Sequence, residues 1–132
     1  MPPHLDELAG VAQVLPHVNQ IEVHPFHQQP ETRAWCAERG VIVAAYSPLT
    51  KGARLGHPAV TAIAARLRRT PAQVLLRWGI EAGMVVLPKS TRPARIAENA
   101  AIFDFALDDA ARVTLATLDE GLATGWDPRG QG

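Results

Sequence analysis

The sequence predicts an α/β fold built from short parallel strands and intervening helices. Residues 18–24 alternate apolar and polar side chains, whereas residues 41–47 and 85–87 are apolar almost throughout, and both patterns indicate strands. Segments with apolar residues at helical spacing surround these strands, so the predicted order is α, β, α, β, α, α, β, α, α. This alternation is typical of a parallel sheet with right-handed crossovers.

Proline, glycine and polar capping residues bound the predicted helices. The helices are expected over residues 2–12, 30–39, 58–68, 71–82, 92–103 and 109–120. Thr70 and Asp108 are the expected N-caps of the fourth and sixth helices. In the fifth helix, either Ser90 or Thr91 is available as N-cap. Helical spacing predicts that one apolar side of this helix packs inward, formed by Ile96, Ala100 and Phe103.

The sequence predicts three strands, and the composition of two of them is typical of strands inside a larger sheet. The second and third are apolar on both faces, and such strands need cover on both. An eight-stranded α/β barrel needs about 250 residues, whereas this chain has 132. We therefore expect the C-terminal portion of a larger sheet or barrel. Residues 1–132 would form a single partial domain, with residues 122–132 as a loose tail.

Composition and charge argue against several classes of protein. Lysine plus arginine and aspartate plus glutamate number 13 each, so a nucleic-acid partner is not expected. Cys36 is the only cysteine, which leaves no internal disulfide and fits a reducing compartment. The start has no basic and apolar leader, and no apolar run approaches the ~20 residues of a membrane span. We therefore expect a cytoplasmic protein without a membrane partner.

Residues 85–99, VVLPKSTRPARIAEN, combine a strand, a cationic turn and the start of a helix. Free backbone N–H groups and the positive end of the helix dipole favour an anion there. Lys89 and Arg95 can converge on one phosphate, and Arg92 and Asn99 share the Arg95 side of the helix by their spacing. The alternative is a surface helix with solvated charges. Cations at a helix N-terminus are unfavourable without an anion, which favours the phosphate site.

Residues that can hold a planar ligand lie near the ends of the first two strands. In parallel barrels the carboxyl ends of the strands form the active face. Gln20 could bond a ligand carboxamide there, Tyr46 could stack on a flat ring, and Ser47 could meet a phosphate. Taken singly, Gln20 is more often a structural hydrogen-bonding residue, and Tyr46 is better explained as a partly buried aromatic at a strand end.

Motifs of several other chemistries are absent from the sequence. The histidines are scattered without acidic or cysteine companions at ligand spacing, so a metal site is not expected. Neither a G-x-S-x-G elbow, a P-loop nor a Rossmann G-x-G-x-x-G occurs. Trp35 and Trp78 are expected in the core, while Trp126 lies in the tail and either covers a pocket mouth or simply packs.

Four segments carry a family resemblance: NQIEVHP at 19–25, AYSPL at 45–49, LPKSTRPARIAEN at 87–99 and FDFALDD at 103–109. Together they resemble the aldo-keto reductases, and are similar to bacterial diketogluconate reductase-like members. The resemblance extends from about residue 3 to the end of the chain. It implies the C-terminal portion of a (β/α)8 TIM barrel that binds NADPH in extended form and reduces aldehydes and ketones.

The resemblance also implies cofactor contacts for individual residues. Gln20 would bond the nicotinamide carboxamide, and Tyr46 would stack on the nicotinamide ring. Ser47 and Leu49 would line the pyrophosphate path. The adenosine end would be held by five further residues: Lys89, Ser90 and Arg95 at the 2′-phosphate, and Glu98 and Asn99 at the adenine edge.

The catalytic Asp, Tyr, Lys and His of the family lie on its first four strands and would precede Met1. Tyr46 is the only tyrosine, and its position matches the stacking residue, not the proton donor. We therefore expect NADPH and a small carbonyl substrate in the full-length context, and an inactive chain when residues 1–132 stand alone. The alternative is a non-catalytic truncated fragment that binds a nucleotide or pairs with another chain through open sheet edges.

Overall fold

The computed structural model describes residues 1–127 and confirms the predicted order of elements. The elements are α1 (Pro2–Val11), β1 (Val18–Glu22), α2 (Pro30–Glu38), β2 (Ile42–Tyr46), α3 (Pro58–Leu67), α4 (Pro71–Glu81), β3 (Val85–Leu87), α5 (Pro93–Ala100) and α6 (Asp109–Ala116). A 3-10 turn, Thr50–Gly52, follows β2. None of the helices within residues 1–127 has the length and apolar character needed to cross a bilayer.

The three strands form one parallel sheet in the order β1-β2-β3. The register pairs Val18 with Ile42 and Tyr46 with Leu87. Side chains of paired residues lie on the same face of a parallel sheet, so alternate positions of all three strands define two faces. One face carries Gln20, Tyr46 and their strand neighbours at every second position, and the other meets the helices.

Helices cover one face of the sheet, and two apolar clusters form the core. The first cluster lies among α3, α4 and α6 and contains Phe26, Val60, Ile63, Ala64, Val74, Leu75, Leu107, Ala111 and Leu115. The second lies at the sheet and α2 and contains Val23, Trp35, Cys36, Val41, Val43, Ala45 and Met84. Trp35 is buried as expected, and the partly buried Trp78 packs against both clusters.

The opposite face of the sheet is open. Val18, Ile42, Val85 and Leu87 are 51, 50, 47 and 40 % exposed on it. Ala44 shares this face but is buried, because its single methyl group lies in the register between Gln20 and Val85. The cover expected on both faces of the apolar strands is therefore found on one face within residues 1–127.

Helix α4 is fixed at its start and against the sheet. Thr70 and Gln73 form a capping box, in which the Thr70 hydroxyl accepts from the Gln73 N–H and the Gln73 side chain accepts from the Thr70 N–H. The Gln73 Nε2 also donates to the carbonyls of Glu98 and Ala101, at 3.1 and 3.2 Å. Further along α4, a Cβ added to Gly79 would lie 2.5 Å from the Val86 side chain. These contacts hold α4 closely to α5 and β3.

The apolar side predicted for α5 is wrong. Ile96 and Phe103 are 53 and 72 % exposed and Ala100 is also exposed, whereas Asn99 is buried. Helical spacing defines a side of a helix but does not determine what covers that side. In this helix the end carrying Asn99 packs, because Gln73 of α4 binds the neighbouring carbonyls.

The predicted N-cap of α5 is also wrong. Arg92 occupies the N-cap position, and its side chain makes no cap hydrogen bond. The Ser90 hydroxyl instead accepts a hydrogen bond from the Arg92 N–H at 3.2 Å, which closes the turn before the helix. The caps predicted for α4 and α6 are confirmed, since the Asp108 carboxylate accepts from the Ala111 N–H at 2.8 Å.

Candidate functional site

A pocket of about 500 Å³ lies between the loop after β2, the turn after β3 and the two helices α4 and α5. Six of the nine residues predicted for the site line it: Leu49, Lys89, Ser90, Arg95, Glu98 and Asn99. We call it the cationic pocket. The parallel sheet explains how it forms, since the chain leaves β2 and β3 at the same edge.

Three cations and one carboxylate line the cationic pocket. Lys51, Lys89 and Arg95 are exposed, and within residues 1–127 none of them forms an ion pair. Glu98 lies one turn of α5 beyond Arg95. Arg92 does not line the pocket. Uncompensated positive charge near a helix N-terminus suits a phosphate group.

A second pocket, of about 160 Å³, lies at the carboxyl ends of β1 and β2. Gln20 and Tyr46 line it, as do Glu22 and Trp126. We call it the strand-end pocket. Burial, and then the negative charges of Glu22 and Asp127, raise the pKa of Tyr46 above its ordinary value. The phenol is therefore neutral at neutral pH, which suits packing against a planar ring.

Ser47 lies in the chain between Tyr46 of the strand-end pocket and Leu49 of the cationic pocket, and it lines neither pocket. Its backbone is in the left-handed region, with φ 48°, and its carbonyl accepts from the Thr50 N–H at 2.9 Å. Thr50 and Lys51 are left-handed as well, with φ 56° and 51°. Successive left-handed residues turn the chain sharply away from Tyr46 and place Lys51 at the cationic pocket.

The carboxylate of Glu22 organises the strand-end pocket, and the sequence-based prediction did not include it. It accepts hydrogen bonds from the Thr124 N–H at 2.8 Å, from the Thr124 hydroxyl, and from the Gly125 N–H at 3.0 Å. Burial by itself raises the pKa of Glu22, but these bonds and one from His24 outweigh it, so the pKa lies below its ordinary value. The available signal was the alternation of β1, which puts Glu22 on the Gln20 face.

Residues 120–127, which we call the C-terminal strap, cross the carboxyl end of the sheet. The backbone N–H groups of Glu120 and Leu122 donate to the Phe26 carbonyl, at 3.2 and 2.9 Å. The Tyr46 hydroxyl lies 3.5 Å from the Trp126 carbonyl, and Trp126 itself lines the strand-end pocket while remaining 70 % exposed. The predicted tail covered residues 122–132. Within it, Leu122 and Trp126 make these contacts, and residues 128–132 lie outside the described part of the chain.

Lys51 links the cationic pocket to the C-terminal strap and was also missed. It lines the cationic pocket, and its Nζ donates to the Thr124 carbonyl at 2.6 Å. The available signal was a lysine next to a glycine in the loop that follows a strand end.

Among residues 1–127, no three potential metal ligands lie close enough together to hold a metal ion.

Comparison with known proteins identifies the fold and the family. The family model described as "Aldo/keto reductase family" matches residues 4–120. The chain belongs to the aldo/keto reductase family. An aldo-keto reductase of Mycolicibacterium vanbaalenii is 49 % identical over 125 residues, which cover 95 % of this chain and 45 % of the relative. The methylglyoxal reductase DkgA of Salmonella typhimurium is 40 % identical, over 95 % of this chain and 46 % of the enzyme.

Solved structures of aldo-keto reductases share the fold of this chain. The Gox0644 D53A mutant in complex with NADPH has a TM-score of 0.92 and 36 % identity, over 98 % of this chain and 48 % of that one. An aldo/keto reductase from Brucella melitensis has a TM-score of 0.85 and 40 % identity, over 90 % of this chain and 46 % of that one. The chain thus spans about half the length of the relatives it matches. The predicted partial TIM barrel, with three parallel strands and flanking helices, is confirmed.

Proposed function

We propose that this chain is the NADPH-binding C-terminal segment of an aldo-keto reductase that reduces small aldehydes or ketones to alcohols. The observation that carries the proposal is the cationic pocket, in which Lys89, Arg95 and Asn99 meet the loop after β2 although α3, α4 and β3 separate them from that loop in the chain. Solved relatives crystallised with NADPH support the choice of cofactor. We place the protein in the cytoplasm.

The two pockets suit opposite ends of an extended dinucleotide. Lys89, Ser90 and Arg95 would hold the 2′-phosphate, with Glu98 and Asn99 at the adenine edge. Ser47 and Leu49 would line the path of the pyrophosphate between the pockets. Gln20 would bond the carboxamide and Tyr46 would stack on the nicotinamide. When bound, the cofactor supplies a hydride for a carbonyl carbon, and these residues bind and orient it.

The charges of the cationic pocket favour NADPH over NADH. A 2′-phosphate carries close to two negative charges near neutral pH and accepts from both a guanidinium and an ammonium group. NADH presents only a hydroxyl group at that position, so Lys89 and Arg95 would stay without an anionic partner. A hydrogen bond to a charged group contributes about 1.5–3 kcal/mol. Removing Arg95 should therefore weaken NADPH about ten- to a hundredfold.

The test is a titration of residues 1–132 with NADPH and, separately, with NADH, in which tryptophan fluorescence reports binding. Arg95→Ala should weaken NADPH and leave NADH nearly unchanged. Arg68→Ala is the matched control, because Arg68 ends α3 and lines neither pocket. Equal weakening of both cofactors by Arg95→Ala would assign Arg95 to the stability of α5 and refute the phosphate site.

The proposal divides the enzyme's work between this chain and residues outside it. Residues 1–132 supply cofactor binding, while the catalytic Asp, Tyr, Lys and His of the family have no counterpart in them. A non-catalytic fragment that pairs with another chain is the second candidate, and the open face at Val18, Ile42 and Val85 favours it. The two candidates differ in whether NADPH binds to residues 1–132.

A further inference from the structure

Lys51 is the one charged residue within residues 1–127 that lines the cationic pocket and also bonds to the C-terminal strap. Its ammonium group donates to the Thr124 carbonyl at 2.6 Å. Thr124 is therefore held from two sides, because its N–H and hydroxyl groups donate to Glu22. Contacts on both sides of one residue tie the strap to β1 and to the loop after β2.

The ammonium group of Lys51 has unused bonding capacity. A lysine carries three N–H donors, and the Thr124 carbonyl takes one of them. Within residues 1–127 no carboxylate pairs with Lys51, so its charge is uncompensated beside Lys89 and Arg95. An anion in the cationic pocket would engage the remaining donors, since hydrogen bonds between charged groups are about twice as strong as neutral ones.

The position of Lys51 in the loop after β2 indicates which part of a bound dinucleotide the Lys51 side chain would contact. Tyr46 lines the strand-end pocket, and Lys51 lines the cationic pocket only five positions later. Arg95 lies on the other wall, on α5. A dinucleotide that extends from Tyr46 to Arg95 passes the loop at its centre, and the central anionic group of a dinucleotide is the pyrophosphate.

The backbone beneath Lys51 is fixed in advance. Thr50 is fully buried, and its hydroxyl accepts from the Arg54 N–H at 3.0 Å. Thr50 and Lys51 both hold left-handed φ values, which the surrounding contacts maintain. A ligand that fixes the Lys51 side chain would therefore also fix the Thr124 carbonyl, and with it the strap residues Ala123 and Trp126 that line the strand-end pocket.

We infer that Lys51 bridges the dinucleotide pyrophosphate and the C-terminal strap, so that filling the cationic pocket and closing the strap over the strand-end pocket stabilise each other. The inference rests on the proposed function and adds to it a positioning residue and a coupling between the pockets. Linkage makes this coupling reciprocal, so loosening the strap must weaken the dinucleotide.

The first experiment compares three ligands: NADPH, NADH and adenosine 2′-phosphate, which lacks the pyrophosphate. Lys51→Met keeps the length of the side chain and removes its charge. It should weaken NADPH and NADH by a similar factor of about ten and leave adenosine 2′-phosphate unchanged. Lys51→Arg should restore most of the affinity. Arg95→Ala should show the opposite pattern, weakening NADPH and adenosine 2′-phosphate but not NADH.

The second experiment measures amide hydrogen exchange at Thr124 and Gly125, whose N–H groups donate to Glu22. NADPH should slow this exchange in the parent chain and leave it unchanged in Lys51→Met. Glu22→Gln loosens the strap from its other side. In a double-mutant cycle, Glu22→Gln should weaken NADPH in the parent but have little further effect in Lys51→Met. Far-UV circular dichroism checks that each variant is folded.

Several outcomes would overturn the bridge. If Lys51→Met bound NADPH and NADH as tightly as the parent chain does, Lys51 would not contact the pyrophosphate. If Lys51→Met weakened adenosine 2′-phosphate as much as the dinucleotides, Lys51 would contact the 2′-phosphate instead. Additive effects of Glu22→Gln and Lys51→Met would remove the coupling. In these cases the Arg95→Ala result still stands and the proposed function survives. A parent chain that binds neither NADPH nor NADH would instead refute the proposed function, and the bridge with it.

Discussion

His24 Nε2 lies 3.1 Å from Glu22 Oε1, and both side chains are buried. Glu22 accepts in this contact, so neutral His24 carries its proton on Nε2. The other ring nitrogen, Nδ1, is buried without a partner within residues 1–127. Burial, the largest influence, lowers the pKa of His24 below its ordinary value, and the hydrogen bond with Glu22 opposes it only in part. The pair therefore favours neutral histidine beside an ionised carboxylate.

This pair predicts that the fold loses stability in acid. A histidine with a lowered pKa binds its proton more weakly in the folded chain, so its contribution is complete above about pH 6.5 and falls as the pH falls below it. Glu22, whose pKa is also lowered, adds a second loss below about pH 4.5. Each group changes the free energy of unfolding by at most about 1.4 kcal/mol per pH unit.

Urea unfolding between neutral and acid pH measures this dependence. His24→Gln should remove the part that begins near pH 6.5. His4→Gln is the control, because His4 is exposed on α1. A stability that stays constant between pH 7 and pH 5 in the parent chain would contradict the assignment of His24 as a neutral buried group.

Residues 1–132 alone should reduce no aldehyde. The loss of general acid catalysis typically costs about 10²–10⁴-fold, and the proposed function places the family's proton donor outside residues 1–132. The measurement is the loss of NADPH absorbance with a broad panel of aldehydes, using a full-length relative such as DkgA as the positive control. Turnover that persists through repeated purification would show that the described residues contain a proton donor we have not recognised.

The isolated chain should associate with itself through the open face of its sheet. Ile42 lies on this face at the start of the central strand β2 and is 50 % exposed. Ile42→Asp should reduce the oligomer seen by size exclusion with light scattering. Val113→Asp is the matched control, because Val113 is 68 % exposed but lies on α6, away from the open face. A sharp monomer peak from the parent chain would show that the open face and edges do not drive association.

Adding one methyl group to Gly79 should destabilise the fold. The new Cβ would lie 2.5 Å from the Val86 Cγ1 atom, so α4 must move away from β3. Overpacking of this kind typically costs about 1–3 kcal/mol. Gly10→Ala on α1 is a control with the opposite sign, because nothing lies within 4 Å of its Cβ and alanine favours helix by up to about 1 kcal/mol. Denaturant midpoints measure both, and equal effects would contradict the close packing of α4 on β3.

The strands and the helix order could be predicted from the sequence because they depend on local patterns. In the cationic pocket, Lys89, Arg95 and Asn99 could be predicted from their spacing, whereas Leu49, Ser90 and Glu98 came from the family resemblance and Lys51 was missed. Apolar runs and caps identify elements, and strand ends of a parallel sheet meet at one edge. The exposure of Ile96 and Phe103 could not be predicted, since it depends on which element lies opposite α5. The bonds of Glu22 and Lys51 to Thr124 join residues far apart in the chain, and no local pattern encodes them.

The Gln73 side chain caps the start of α4 and also donates to the carbonyls of Glu98 and Ala101 at the C-terminal end of α5. The wall of the cationic pocket that carries Arg95 and Asn99 is therefore preorganised by a buried amide. A ligand that meets this wall loses little conformational entropy in ordering it. The facing wall depends on the exposed side chain of Lys51, whose rotamers must be restricted on binding. The entropic cost of recognition is thus concentrated in the loop after β2. Substitutions of neighbouring residues that restrict the rotamers of Lys51 before binding would raise the affinity for the ligand without adding a contact to it.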